Sequence, residues 1–76
     1  MTLADGKVGC TYRVTKIHLE ENTERRLEAL GLTEGTNVEL LNRKRSGTSI
    51  FNVRGTRLAV GRQIAQGITV DGGTRQ

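Results

Sequence analysis

Two alternating apolar runs meet at Arg54-Gly55, and this junction restricts the fold more than any other stretch of the chain. Ile50-Phe51-Asn52-Val53 leads into the pair, and Thr56-Arg57-Leu58-Ala59-Val60 leads out of it. A two-residue connection of this kind closes a β-hairpin, with Gly supplying a positive φ at little steric cost. The register then sets Val53 opposite Thr56 and Phe51 opposite Leu58. Phe51, Val53, Leu58 and Val60 share one face, the core, while Asn52 and Arg57 fall on the other. Arg57 is therefore expected to be exposed, or held by something outside the sheet.

The remaining segments read as additions to that hairpin. Met1 to Gly9 carries little apolar material and is expected to form an arm or a short leading strand. Tyr12-Arg13-Val14 alternates with period two, and Ile17-His18-Leu19 repeats the alternation out of phase, so a bulge or bend near Thr15-Lys16 is expected. A helix of about two turns follows, capped by Asn22 or Thr23 and closed by Gly31 as a left-handed C′ residue. Leu27, Leu30 and Leu32 are expected to dock it on the sheet, because so short a helix is marginal alone. Thr33-Glu34-Gly35-Thr36 has type II turn chemistry. Val38-Glu39-Leu40 reads as a strand running into the loop Arg43-Lys44-Arg45-Ser46-Gly47. A short helix starts at Gly61 or Arg62, with Ile64 and Ile68 as anchors, and Gly67 ends it before a last strand, Ile68-Thr69-Val70. Residues 71–76 contain no apolar side chain and are expected to be a mobile tail.

The sum is a mostly β fold: a small, partly open barrel of about five strands with two short helices. Closing the sheet on itself is how so small a unit hides its edges. With 76 residues the chain forms a single domain, residues 1–76, whose core is expected over about 8–70. No apolar stretch approaches ~20 residues, so no membrane insertion is expected. Cys10 is the one cysteine, and there is no apolar leader, so the chain reads as cytoplasmic, with Cys10 as a packing residue.

The catalytic inventory is nearly empty. His18 is the single histidine and is expected on the solvent side of its strand, with no Ser/His/Asp arrangement to join. Gly55 to Gly61 lacks the Lys-Ser/Thr pair of a phosphate loop. Glu20, Glu21 and Glu24 flank a helix start and suit that role better than metal ligation. No enzyme activity, metal site or cofactor is expected. Charge is the stronger signal. The net charge is +4, and from Leu40 to Val70 there is no Asp or Glu, while Arg43, Lys44, Arg45, Arg54, Arg57 and Arg62 fall in that span. Such a field steers acidic partners. It also makes nucleic-acid binding the rival reading, although barrels of that type stack bases on exposed aromatics and this chain has only Tyr12 and Phe51.

Three segments carry a more specific likeness: Arg25-Arg26-Leu27-Glu28-Ala29-Leu30-Gly31-Leu32, Gly35-Thr36-Asn37-Val38, and Val53-Arg54-Gly55-Thr56-Arg57-Leu58-Ala59-Val60-Gly61-Arg62. Together they resemble the FeoA family, ferrous iron transport protein A, over about Gly9 to Val70. The resemblance implies an SH3-like barrel and a small cytosolic accessory or adaptor protein of bacterial ferrous iron uptake. The implied partner is a membrane ferrous iron permease with a cytosolic GTPase domain, of the FeoB type. Glu34 stands where the family commonly has Pro, and a proline usual in the loop before the third strand is missing around Ser46 to Ser49. Related barrels also form the C-terminal domain of metal-dependent repressors, so fold alone does not fix function.

On this reading Gly31, Gly35 and Gly55 are architectural turn residues. Arg43, Lys44 and Arg45, with Arg57, Leu32 and Leu41, are the candidate partner-binding residues. Two roles stay open for Arg57: a guanidinium hydrogen bond to a loop carbonyl, or contact with the partner. An open sheet edge also makes weak self-association an expectation.

Overall fold

The computed structural model describes the backbone of residues 1–75 and the side chains of residues 1–73. Five strands form one antiparallel sheet: β1 (Cys10–Ile17), β2 (Asn37–Arg43), β3 (Ser49–Val53), β4 (Thr56–Val60) and β5 (Ile68–Arg75). Their order is β4-β3-β2-β1-β5, so the sheet curls around its core without closing. Helix α1 (Glu21–Ala29) bridges β1 and β2, and α2 (Arg62–Gln66) lies between β4 and β5.

The hairpin has the register its sequence demands. Val53 pairs with Thr56, Asn52 with Arg57 and Phe51 with Leu58. Arg54 and Gly55 both have positive φ, 50° and 81°, the backbone of a type I′ turn whose twist suits the flanking strands. Phe51, Val53, Leu58 and Val60 are buried among Tyr12, Val14, Val38, Leu40, Ile68 and Val70. The expected slip in β1 is also present: the pairing with β5 shifts between Val14 and Lys16, leaving Thr15 as the extra residue.

Helix α1 starts earlier than expected. Glu20, not Asn22 or Thr23, is its N-cap, and no side chain caps it. Glu21 and Glu24 in the first turn complement the macrodipole instead, and Glu21 pairs with Arg25 at 2.7 Å. The far end is closed by main chain. Leu32 N–H donates to the Leu27 carbonyl and Gly31 N–H to that of Glu28, each at 2.9 Å. These are the two bonds of a Schellman motif, and Gly31, at φ 98°, holds the left-handed position. The motif brings Leu32 under Leu27, both in the core. Leu30 departs from expectation: it is 44% exposed and contributes nothing to docking, because the Schellman turn uses the next apolar residue as its contact.

Both termini are more structured than the sequence suggests. Leu3, in a single 3₁₀ turn, is buried in the core, and Met1 accepts a hydrogen bond from Val70 N–H at 2.9 Å. The core thus begins before residue 8. Where a mobile tail is expected, the backbone of residues 71–75 continues β5, pairing Asp71 with Arg13 and Gly72 with Tyr12. Main-chain pairing along β1 holds this segment, which is why the absence of apolar side chains misleads; Gln76 lies outside the described residues. Cys10 is only half-buried, packed against the rim of the core. His18 lies just beyond β1, not in it; its side chain is exposed, and its N–H donates to the Gly67 carbonyl at 2.7 Å. A Cβ on Gly67 would sit 2.7 Å from the His18 carbonyl oxygen, so glycine here serves close approach and not a positive φ.

Two outcomes follow for stability. Leu32→Ala should cost about 2–5 kcal/mol in urea unfolding, as for other buried leucines, while Leu30→Ala should cost less than about 0.5 kcal/mol. The Asp5 carboxyl accepts bonds from the Thr2 N–H and hydroxyl, both at 3.2 Å. These bonds, the backbone one first, hold its pKa below the ordinary value of 3.8. A depressed carboxylate stabilises the fold above its unfolded pKa, and that contribution is lost as pH falls through the folded one. An NMR titration of Asp5 should therefore show a lowered midpoint in the native chain that moves only part of the way back toward 3.8 in Thr2→Val, which removes the hydroxyl bond and keeps the larger backbone one.

Candidate partner-binding surface

The sheet alternation that fills the core also sorts the polar residues. Thr11 pairs with Glu39, Glu39 with Asn52 and Asn52 with Arg57, so these four form a row across the outward face of β1 to β4. A second row sets Arg13 between Asn37 on β2 and Asp71 on β5. An open cleft of about 520 Å³ lies over the Thr11, Glu39 and Asn52 part of the first row, short of Arg57, and is lined also by Asn37 and Arg54. Gly35 separates it from a hollow of about 320 Å³ beside Arg13, Thr15 and Asp71.

The basic loop sits elsewhere. Pairing between β2 and β3 shifts between Leu40 and Asn42, which makes Leu41 the bulged residue. The bulge reverses the alternation. Arg43 consequently pairs with Ser49, a buried residue, and its Nε donates to Ser49 Oγ at 3.4 Å. Beyond it, Lys44 to Gly47 form a turn in which Gly47 N–H donates to the Lys44 carbonyl at 2.9 Å. Arg43 lines a small hollow of about 200 Å³ with Ala4, Gly47 and Arg62. Arg43, Lys44 and Arg45 are all exposed, as expected, but the bulge places Arg43 on the opposite face of the sheet from Arg57.

The candidate residues therefore divide. Leu32 is 1% exposed and fills the core under α1, so it is withdrawn from any partner surface. Leu41 is half-buried, the unpaired residue between the Leu40–Phe51 and Asn42–Ile50 pairs. Arg57 is exposed, and among the described residues no hydrogen bond or ion pair holds its guanidinium. Gly31, Gly35 and Gly55 all occupy positive-φ turn positions. Arg62 and the facing residues Arg13 and Asp71 join the candidate surface only through the fold: Arg62 lines the hollow beside the basic loop, and Asp71 lies in a segment without apolar side chains. Tyr12 and Phe51 are both buried, at 3% and 1% exposure, so neither offers a ring on which a base could stack. Among the described residues no three His, Cys, Asp or Glu side chains come together.

A model of the FeoA domain matches residues 1–72. The chain belongs to the FeoA domain family. Solved structures agree with the assignment. FeoA protein from Chlorobium tepidum superposes with a TM-score of 0.87 at 35% identity, over 92% of this chain and 68% of that one. FeoA from Stenotrophomonas maltophilia, solved with zinc and described as a prokaryotic SH3 domain protein, gives a TM-score of 0.74 at 26% identity, covering 93% and 89%. ScaR with bound Zn²⁺ gives 0.81 at 25% identity over 93% of this chain, which spans only 36% of that protein. Among curated proteins nothing matches. The SH3-like fold of this FeoA domain thus recurs inside larger proteins, as the sequence reading expects.

The freedom of Arg57 yields a direct test of its role. Arg57→Ala should leave unfolding free energy within about 0.5 kcal/mol of the parent in urea titration. A loss above about 1 kcal/mol would mean that the guanidinium supports a loop instead.

Proposed function

We propose that this chain is an accessory protein of ferrous iron uptake that docks in the cytoplasm on the soluble part of a membrane iron permease carrying a GTPase domain. The observation that carries the reading is the FeoA domain match over residues 1–72. It is joined by the description of the Stenotrophomonas maltophilia relative as a candidate bacterial ferrous iron transport activating factor. The residues of this chain suit a docking role. Its clefts are open and polar, the sheet's outward face offers hydrogen-bonding side chains at regular spacing, and its arginines stand mostly without acidic partners. No helix among the described residues is long and apolar enough to cross a membrane. The role is binding, with no chemical step of its own.

Arg43, Lys44 and Arg45 supply long-range attraction to an acidic partner surface, and close contact falls to the outward face around Asn52 and Arg57 with Leu41 at its margin. Charged loops act mainly on the rate of encounter, and salt screens them. Replacing Arg43, Lys44 and Arg45 by Ser should lower the association rate with the permease's cytosolic domain about tenfold at low salt, with little change in dissociation rate. Raising the salt should bring parent and variant together. An unchanged association rate would remove the loop from the mechanism. Binding of mixed-sequence oligonucleotide with a steep salt slope, and none of the permease domain, would favour the nucleic-acid reading instead.

A further inference from the structure

The sheet has two free margins, and they are treated differently. Along β5, Met1 and Thr2 cover part of the edge: Val70 N–H donates to the Met1 carbonyl, and Thr2 bridges Thr69. Along β4 nothing plays this part among the described residues. β4 stands last in the sheet order, and among the described residues its only strand neighbour is β3. A two-residue type I′ hairpin closes on a hydrogen-bonded pair, here Val53–Thr56, and such pairs alternate with open ones. Phe51–Leu58 and Ser49–Val60 are then bonded pairs. Asn52–Arg57 and Ile50–Ala59 are open pairs, whose β4 members turn their N–H and C=O groups away from β3. Arg57 and Ala59 thus present a short row of donors and acceptors to solvent, and both residues are exposed.

Three of the devices that usually blunt such an edge are missing. The chain has no proline, the β3–β4 pairing has no register shift, and Leu58 and Val60 point inward where a charge would otherwise discourage pairing. What the edge does carry is positive charge. Arg57 lies on its outward face, with Arg54 at one end and Arg62 just past the other, and no acid occurs between Leu40 and Val70. A second copy joined β4 to β4 would set two arginine-bearing edges side by side, which like charges oppose. An acidic strand meets the same edge with attraction.

We propose that β4 is a docking edge for an extended acidic segment of a protein partner, which adds as a sixth strand through the main chain of Arg57 and Ala59. In this register the incoming residue opposite Arg57 lies on the outward face and is Asp or Glu. Its chain neighbours turn inward against the rim formed by Leu58 and are small and apolar. The recognised sequence therefore alternates acidic and apolar residues. This inference rests on the docking reading above for the identity of the partner, while the edge chemistry is independent of it.

The test uses the full chain and a terminally blocked peptide of alternating Glu and Val. Controls are the same alternation built from Lys and Val, and a Glu/Val peptide with its acids grouped at one end. At a peptide concentration ten times its Kd, amide exchange at Arg57 and Ala59 should slow about tenfold, with neither control doing the same. Ala59→Pro removes an outward donor without removing a bond to β3, so the fold is kept, as amide shifts elsewhere will report, and affinity should drop about tenfold. Arg57→Glu should abolish binding of the Glu/Val peptide and gain binding of the Lys/Val one. Protection confined to the Arg43–Arg45 loop, an affinity unmoved by Ala59→Pro, or dimerisation of the chain at β4 in place of peptide binding would each overturn the proposal. The permease's cytosolic domain separates the two claims. If it binds parent and Ala59→Pro equally, the edge proposal fails and docking stands. If it binds neither while the peptide still pairs with β4, docking fails and the edge stands.

Discussion

The fold depends on the backbone of the Arg54-Gly55 turn. Two successive residues at positive φ form a tight connection whose twist matches the strands on either side. That match fixes the β3–β4 register, and register decides which side chains go inward. Phe51, Val53, Leu58 and Val60 share one face only in this register; a slip of β4 by one residue would carry Leu58 and Val60 to solvent and bring Arg57 into the core. No compensation is available in so small a domain, because those four side chains are a large part of its apolar interior. The left-handed conformation of Arg54 is the strained part of the arrangement, since a residue with a Cβ adopts it less readily than glycine.

A second constraint ties the helix to the sheet. The Schellman turn at Gly31 lets Leu32 leave the helix axis and enter the core beside Leu27. Gly31 lies close to the Arg54 side chain, so the helix end packs on the hairpin turn itself. The following Thr33–Thr36 turn is closed by Thr36 N–H to the Thr33 carbonyl at 3.1 Å, and the two threonine hydroxyls meet at 2.8 Å. Thr36 is thereby buried with its hydroxyl satisfied. From there the chain enters β2 with Val38 and Leu40 directed inward.

Most of this was legible because it is written in local periodicity and turn chemistry. The hairpin register, the β1 bulge, the Gly31 and Gly35 turns and the limits of α2 all follow from short windows of sequence. What escaped depends on contacts distant in the chain. Residues 71–75 have no apolar content and are ordered by pairing with β1, which no local pattern reveals. Leu3 joins the core from a segment poor in apolar neighbours. Leu30 looks like a core residue until the helix end is known to choose Leu32. The candidate residues were legible singly but not in their relative placement: the unpaired Leu41 sets Arg43 on the far side of the sheet from Arg57, and no short window of sequence shows that. A bulge has no dependable signature in a strand with apolar residues at successive positions.

Both aromatic rings lie in the core, while on the exterior Arg57 has no hydrogen-bond or ion-pair partner among the described residues. The proposed docking surface is one face and edge of the sheet, around Asn52, Arg57 and Ala59, and the proposed partner is a cytosolic domain of an iron permease. The most direct measurement is an NMR titration of the isotope-labelled chain with that domain, read residue by residue. If this surface docks the domain, shifts should concentrate at the outward residues of β3 and the length of β4, with weaker ones at Lys44 and Arg45 and none at the β5 margin. Shifts confined to the β5 margin and α1, or a spectrum unchanged at saturating partner, would contradict it.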